Sequence, residues 1–234
     1  MIKAVIFDLD DTMVNSEPLH RLAWARLLQE YSHEITDIPQ EMQESQMGMR
    51  ISDVIKERAL YLNLKDDLEI ISKKRSKIFL SLVKERLGVM PGLLTALSSL
   101  RKEKYRLAIA TSGSRNYVDL VVNKFNLERF FEFIVTGDDV KKSKPDPEIY
   151  LKTTAMLGLH PNECLVVEDA GKGVLSAKLA GCKCIAIRTP FTRKKDLLKA
   201  DLLLESLNQL QPSVVKKLSG RYKRTRSHTP QLKG

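Results

Sequence analysis

Apolar and polar positions change their period twice along this chain. Residues 2–7 are apolar except for Lys3, and short apolar runs return at 107–111, 134–136, 165–168, 184–188 and 202–204. Runs this short, apolar at consecutive positions, predict strands buried on both faces of a sheet. Helical periods fall between them. Residues 116–125 put Val118, Val121, Val122 and Phe125 on one side of a helix, 147–157 read as a helix opened by Pro147, and an amphipathic stretch runs to Ala180. Strands alternating with helices predict a parallel sheet covered on both faces. Between Thr12 and Leu87 the strand signals vanish. Asn15 or Ser16 can cap a helix over 17–31 that turns Leu19, Leu22, Ala23, Leu27 and Leu28 inward, and 51–62 and 68–87 read as two more helices. The expected fold is therefore α/β, a doubly wound parallel-sheet core built from 1–14 and 88–218, with a wholly helical segment, 15–87, inserted after the first strand.

The ends of these strands carry the chemistry. Asp8 and Asp10 follow the first apolar run at a spacing of two, which in an extended chain points both carboxylates the same way. Strand exits are where open α/β sheets bind ligands. Two carboxylates crowded there repel unless a cation joins them, and hard oxygen donors favour Mg²⁺. Phosphoryl transfer fits this pair, one aspartate attacking phosphorus and the other moving a proton. The run 107–111 ends in Thr111-Ser112-Gly113-Ser114 and opens into a helix, whose free N–H groups suit an anion. By itself a serine there reads equally well as an ordinary helix cap. Lys141 to Pro147 alone would be a solvated turn, and Glu168-Asp169 is an acidic exit from another buried strand.

Taken together and in this order, Asp8-x-Asp10-x-Thr12, Ser112-Gly113, Ser143-Lys144-Pro145-x-Pro147 and Glu168-Asp169 resemble the four motifs of the haloacid dehalogenase superfamily of phosphatases and mutases. The resemblance covers nearly all of the chain to about Leu218 and is strongest to the β-phosphoglucomutase-like branch, which also holds many phosphatases of sugar phosphates and other small phosphomonoesters. It implies Asp8 as the nucleophile of an aspartyl-phosphate intermediate and Asp10 as general acid and base. It implies a phosphate site of Ser112, the Gly113 N–H and Lys144. It implies Mg²⁺ held by Asp8, Asp169 and the Asp10 backbone carbonyl, with Glu168 close behind. The helical insertion resembles the cap that covers such sites. There His20 matches a histidine near the proton-transferring aspartate, Gly48 matches the specificity-loop glycine, and Arg50 and Arg75 are candidate substrate contacts. Without the resemblance, His20 reads as a surface histidine and Lys73-Lys74-Arg75 as a solvated helix face, the favoured reading of that run. The chain departs from the mutase at Met47 and Ile51, where the mutase has lysine and arginine, so hydrolysis is expected and β-phosphoglucomutase activity is the alternative. A non-catalytic protein on this fold would have no need to keep Asp8, Asp10, Lys144 and Asp169 together. Asp11, where glycine is frequent, is expected to make turn contacts.

Charge and cysteine content change this picture little. Half of the net charge of +10 comes from Arg221, Lys223, Arg224, Arg226 and Lys233, in a basic tail, 219–234, that lacks acids and apolar periodicity and is expected to be disordered. A nucleic-acid role through it is a minor expectation, whereas a mildly basic body suits anionic phosphates. No apolar run has the length of a membrane span, and the first strand already carries Asp8, so a removable signal peptide is excluded and the cytoplasm expected. Cys164, Cys182 and Cys184 have neither disulfide-framework nor zinc spacing and are expected as buried small hydrophobes. The expected partner is a small phosphorylated metabolite, with the chain a monomer.

Overall fold

The computed structural model describes residues 1–220. Six strands form one sheet: β1 (Ala4–Phe7), β2 (Arg106–Ala110), β3 (Phe133–Val135), β4 (Cys164–Glu168), β5 (Lys183–Ile187) and β6 (Leu202–Leu204). All pairings are parallel and the order is β3-β2-β1-β4-β5-β6. Each central strand feeds two cores by simple alternation. Val5, Phe7, Leu107, Ile109, Leu165, Val167, Ile185 and Ile187 enter one hydrophobic cluster. Ala4, Ile6, Ala108, Ala110, Cys164, Val166, Cys184 and Ala186 enter the other, on the opposite face. The strands are therefore apolar at consecutive positions because both faces are covered. All three cysteines are buried and unpaired, as small core residues.

Nine α-helices complete the described chain: α1 (Glu17–Gln29), α2 (Gln40–Ser45), α3 (Ile51–Tyr61), α4 (Leu68–Arg86), α5 (Leu93–Lys102), α6 (Arg115–Lys124), α7 (Glu148–Met156), α8 (Gly171–Leu179) and α9 (Pro212–Ser219). Helices α1 to α4 lie between β1 and β2 in the chain. They share a third cluster of Trp24, Leu27, Leu28, Ile38, Val54, Ile55, Ala59 and Ile71, while Leu19, Ala23, Phe79, Leu82 and Val83 root α1 and α4 in the sheet's own core.

Three helices lie outside those expected from the pattern: α2, α5 and α9. The period of α5 is plain in Leu93, Ala96, Leu97 and Leu100, all buried. Pro147 stands just before α7 as its N-cap instead of occupying the first helical position. The expected tail begins too early, because Ser219 closes α9 and its hydroxyl accepts the Ile2 N–H at 3.1 Å. The rest of the expected tail lies beyond residue 220, outside the described residues. No helix among the described residues is long and apolar enough to cross a membrane.

One polar knot fastens the start of β5. Asp201 accepts from Lys178 Nζ at 2.6 Å, Lys183 Nζ at 2.9 Å and the Cys184 N–H at 2.8 Å. Burial alone would raise this carboxyl, but Lys178, the Cys184 amide and Lys183 outweigh it and hold it below the usual carboxylate range. A carboxyl lowered on folding stabilises above its unfolded pKa of about 4, and that stabilisation is lost as pH falls through the folded value. Asp201→Asn should cost about 1–3 kcal/mol at neutral pH. In denaturant titrations the gap to the parent protein should close below about pH 4.

Candidate active site

Strand register brings the acids together. Phe7 is level with Ile109 on β2 and with Val167 on β4, so Asp8 emerges beside Ala110 and Glu168. The Asp8 N–H still bonds Val167 O at 2.9 Å. By alternation Asp8 and Glu168 face the side of the sheet holding α7 and the loop before it. From that loop Lys144 Nζ reaches Asp8 Oδ1 at 2.6 Å, Glu168 Oε1 at 2.7 Å and Ala110 O at 3.3 Å. Tyr150 on α7 adds its hydroxyl to Glu168 Oε1 at 2.7 Å. The second oxygen, Oε2, accepts the N–H groups of Asp169 and Ala170 at 3.0 and 3.1 Å. Glu168 is thus fully committed to holding Lys144 and the loop that carries Asp169. Asp169 accepts the Thr12 hydroxyl on Oδ1 at 3.2 Å.

This packing needs glycine at 173. A Cβ there would lie 1.7 Å from Glu168 Oε1. Gly173→Ala must push Glu168 away and with it Lys144 and the Asp169 loop. A displacement of about 1 Å of such groups costs on the order of 100-fold in rate. That loss should appear in turnover while circular dichroism stays unchanged.

The electrostatics are those of crowded anions. Burial drives the Asp8 carboxyl well above its ordinary value, Lys144 offsets part of this, and Glu168 and Asp10 add to it. Asp169 is raised by burial and then by Asp11, Glu168 and Asp8. Burial works against the Lys144 ammonium, but Asp8 and Glu168 overcome it and hold the proton more firmly. Carboxylate oxygens of Asp8, Glu168 and Asp169 lie within 4.8 Å of one another. An all-oxygen set with one ammonium against three carboxylates fits a hard divalent cation. With both Glu168 oxygens taken, Asp8 and Asp169 are the residues that would hold it.

After β1 the chain turns sharply. Asp11 takes φ 53°, its Oδ1 accepts the Glu17 N–H at 3.1 Å, and burial pushes its carboxyl up to about 8. This turn sets Asp10 toward the helical insertion. On that side Tyr117 of α6 donates its hydroxyl to Asp10 Oδ1 at 2.6 Å, and His20 Nε2 of α1 stands 3.6 Å from the same oxygen. Burial opposes ionisation of Asp10, but contact with His20 and Tyr117 prevails and its carboxyl lies below the ordinary range. Arg75 contacts His20 Nδ1. A guanidinium only donates, so Nδ1 is the acceptor and the imidazole proton sits on Nε2, facing Asp10. Burial, then Arg75, lowers the His20 pKa and favours this neutral ring.

Several expectations change here. His20 is no surface histidine: its ring stacks on Phe79 with centroids 4.1 Å apart. Arg75 leaves the solvated face assigned to its charge run, being buried while Lys73 pairs with exposed Glu69. Arg50 does not line the cavity over the acids. It donates to Val140 O at 2.8 Å and borders a separate surface groove with Asp53 and Lys142. Gly48 takes φ 77°, and a Cβ there would come within 3.0 Å of Ala170 Cβ. Here the cap loop meets the core, and the Ser112 hydroxyl donates across the junction to Gly48 O at 3.0 Å. Thr111, buried one residue beyond β2, lines the same cavity and was not singled out from the sequence. Tyr117, Tyr150 and Arg58 were also missed. The signal for Tyr117 was available, since it opens α6 just after the Ser112-Gly113 turn.

The family described as haloacid dehalogenase-like hydrolase matches residues 5–187. The chain belongs to this family. Among haloacid dehalogenase-like hydrolases it is 33% identical over 188 residues to the phosphorylated carbohydrates phosphatase of Thermotoga maritima, covering 79% of this chain and 84% of that one. It is 34% identical over 209 residues to hexitol phosphatase A of Escherichia coli, covering 89% and 93%. The β-phosphoglucomutase structure from Clostridium difficile shares the fold with a TM-score of 0.83 at 23% identity, over 95% of this chain and 99% of that one. The two phosphatases support phosphoric monoester hydrolysis as the reaction of this haloacid dehalogenase-like hydrolase, and the mutase structure shows the fold alone.

Proposed function

We propose that this hydrolase removes phosphate from a small phosphorylated metabolite of the sugar-phosphate kind, through an aspartyl-phosphate on Asp8 and with Mg²⁺ bound. The observation that carries this reading is the Asp8–Lys144–Glu168 contact at the exits of β1 and β4, with Asp10 and Asp169 beside it. Asp8 attacks phosphorus in line as the ester oxygen leaves. Lys144, the Thr111 hydroxyl, the Ser112 hydroxyl once it releases Gly48 O and the Gly113 N–H once it releases Thr111 Oγ1 would face the equatorial oxygens. Such groups act by position and charge, which is most of what phosphoryl transfer needs. Bound at Asp8 and Asp169, Mg²⁺ would neutralise the phosphate's charge and quieten the repulsion among the acids.

Asp10 moves the proton. Its low carboxyl suits the second step, in which it takes a proton from the water that cleaves the acyl phosphate. An anionic phosphate beside it raises its pKa, which favours protonation for delivery to the leaving oxygen in the first step. Tyr117 and His20 keep the carboxylate turned toward the phosphate in both. Residues 15–87 serve as the cap, excluding bulk water on closure.

The test is phosphate release from a panel of sugar phosphates, nucleotides and other phosphomonoesters, with Mg²⁺ and with EDTA. Release that EDTA abolishes and Mg²⁺ restores is expected. Release untouched by EDTA would sink the metal assignment, and none from any compound would sink the phosphatase. The position of His20 keeps the mutase as a second reading. Its mark would be glucose 6-phosphate formed from β-glucose 1-phosphate in the presence of the bisphosphate.

A further inference from the structure

The cap end of the cavity holds more positive charge than its own acids balance. Arg58 from α3 and Arg75 from α4 are both buried and both line it. Neither has a carboxylate oxygen within the 4.0 Å of an ion pair among the described residues. Buried guanidiniums are ordinarily paired, because an unpaired charge out of water is strongly unfavourable. Two of them facing one cavity call for a common counter-charge.

Arg58 is held ready. Its Nε donates to Gln46 Oε1 at 2.7 Å, and the Gln46 amide donates in turn to Glu57 at 2.8 Å. The guanidinium lies over Trp24, 4.5 Å from the ring centre. With Nε taken, its two terminal nitrogens meet no protein acceptor among the described residues. In Arg75 one terminal nitrogen contacts His20, while Nε is buried with no partner at all. Its guanidinium lies over Phe79, 4.6 Å from the ring centre. These aromatic walls keep water away and strengthen any charge contact made there.

The acids nearby do not settle the balance. Glu17 is the one cap carboxylate lining the cavity among the described residues, and burial pushes it up to about 7 in spite of Arg21, Arg58 and Arg75. Asp10 is engaged by Tyr117 and His20. Burial brings Arg58 down to about 10, and burial together with Arg58 brings Arg75 down to about 9. Both stay charged at neutral pH. The scissile phosphate already has Lys144 and the Thr111–Gly113 turn. The two arginines come instead from helices on the other side of the cavity.

We propose that Arg58 and Arg75 form a second oxyanion subsite, and that the substrate is a phosphomonoester bearing a further carboxylate or phosphate at its far end. This rests on the phosphatase reading above. Guanidiniums offer donors only, so a distal oxyanion satisfies both, whereas a neutral hydroxyl leaves the charge uncompensated. Ile51 and Arg58 stand seven residues apart on one face of α3, so the helix presents an apolar wall and then a cation to a substrate extending away from Asp8.

The experiment compares kcat/KM on matched sets of phosphomonoesters that share a carbon skeleton and end in a hydroxyl, a carboxylate or a second phosphate. The parent protein should favour an anionic member over the hydroxyl member by at least about 100-fold, and which anion leads names the source. Arg58→Met should lose at least about ten times more on the anionic members than on the hydroxyl member, chiefly through KM, with Arg58→Lys between. A preference for the hydroxyl member, or equal loss on all three, would overturn the subsite. Para-nitrophenyl phosphate, which has no distal anion, separates the two failures. Its Asp8-dependent hydrolysis beside an absent anion preference would discard the subsite alone, and no hydrolysis of any compound by folded protein would discard the phosphatase with it. Melting curves confirm that each variant is folded. If Arg58→Met does not fold, Arg58→Lys and the parent preference decide.

Discussion

Asp8→Asn should abolish phosphate release while leaving the protein folded and at least as heat-stable as before. Removal of a covalent nucleophile typically costs on the order of 10⁴-fold or more, because the remaining groups can only bind and polarise. The stability half follows from the charges. Asp8 is buried beside Glu168, Asp10 and Asp169, and its carboxyl is raised because burial, Glu168 and Asp10 outweigh Lys144. A neutral amide of the same shape removes one member of a repelling set. Lys144 keeps Glu168 at 2.7 Å as its partner, so no cation is orphaned. The melting temperature should hold or rise by a few degrees. Turnover retained within ten-fold would mean that Asp8 is not the nucleophile.

Lys144→Met reverses that pattern, losing both activity and stability. Lys144 is 3% exposed, and its ammonium is the cation in contact with Asp8 and Glu168. Its removal leaves buried carboxylates facing one another, and breaking a buried pair in this way costs about 3–5 kcal/mol. For a chain of this size that corresponds to a fall of about 10 °C in melting temperature. Activity should drop on the order of 10²–10³-fold, the usual effect of losing one electrostatic contact to the developing charge. A variant that melts with the parent would show that Glu168 and Asp8 do not depend on Lys144 for their burial. Asp8→Asn and Lys144→Met thus touch the same 2.6 Å contact and should move stability in opposite directions.

The expected strands correspond closely to those of the sheet because each is apolar at consecutive positions, the mark of cover on both faces. Strand ends were legible for the same reason: an acid after such a run has nowhere to go but the rim of the sheet. Helix ends shifted by one or two residues, as at Pro147, where local geometry decides. Helix α2 was not legible because its six residues, Gln40–Ser45, contain one apolar side chain and bury none. Arg58 and Arg75 were misread or missed because a single charged residue in an amphipathic helix gives no sign of which side it faces. Lys73 and Arg75 are two residues apart on α4, and the packing of α4 against α1 buries only the second.

The sequence by itself determined the alternation of buried strands and helices and the placing of Asp8, Asp10, Lys144 and Asp169 at strand exits and in the loop after β3. Those are local matters, settled by period and by the residues that end each run. Only the tertiary structure decided which of these groups touch. The parallel register levels Asp8 with Glu168, and the void at Gly173 admits that carboxylate. The return of the helical insertion over the sheet sets His20, Arg75 and Arg58 around the cavity and sends Arg50 to Val140 instead. Contacts between segments far apart in the chain depend on how the packed layers meet, and no run of neighbouring residues carries that information.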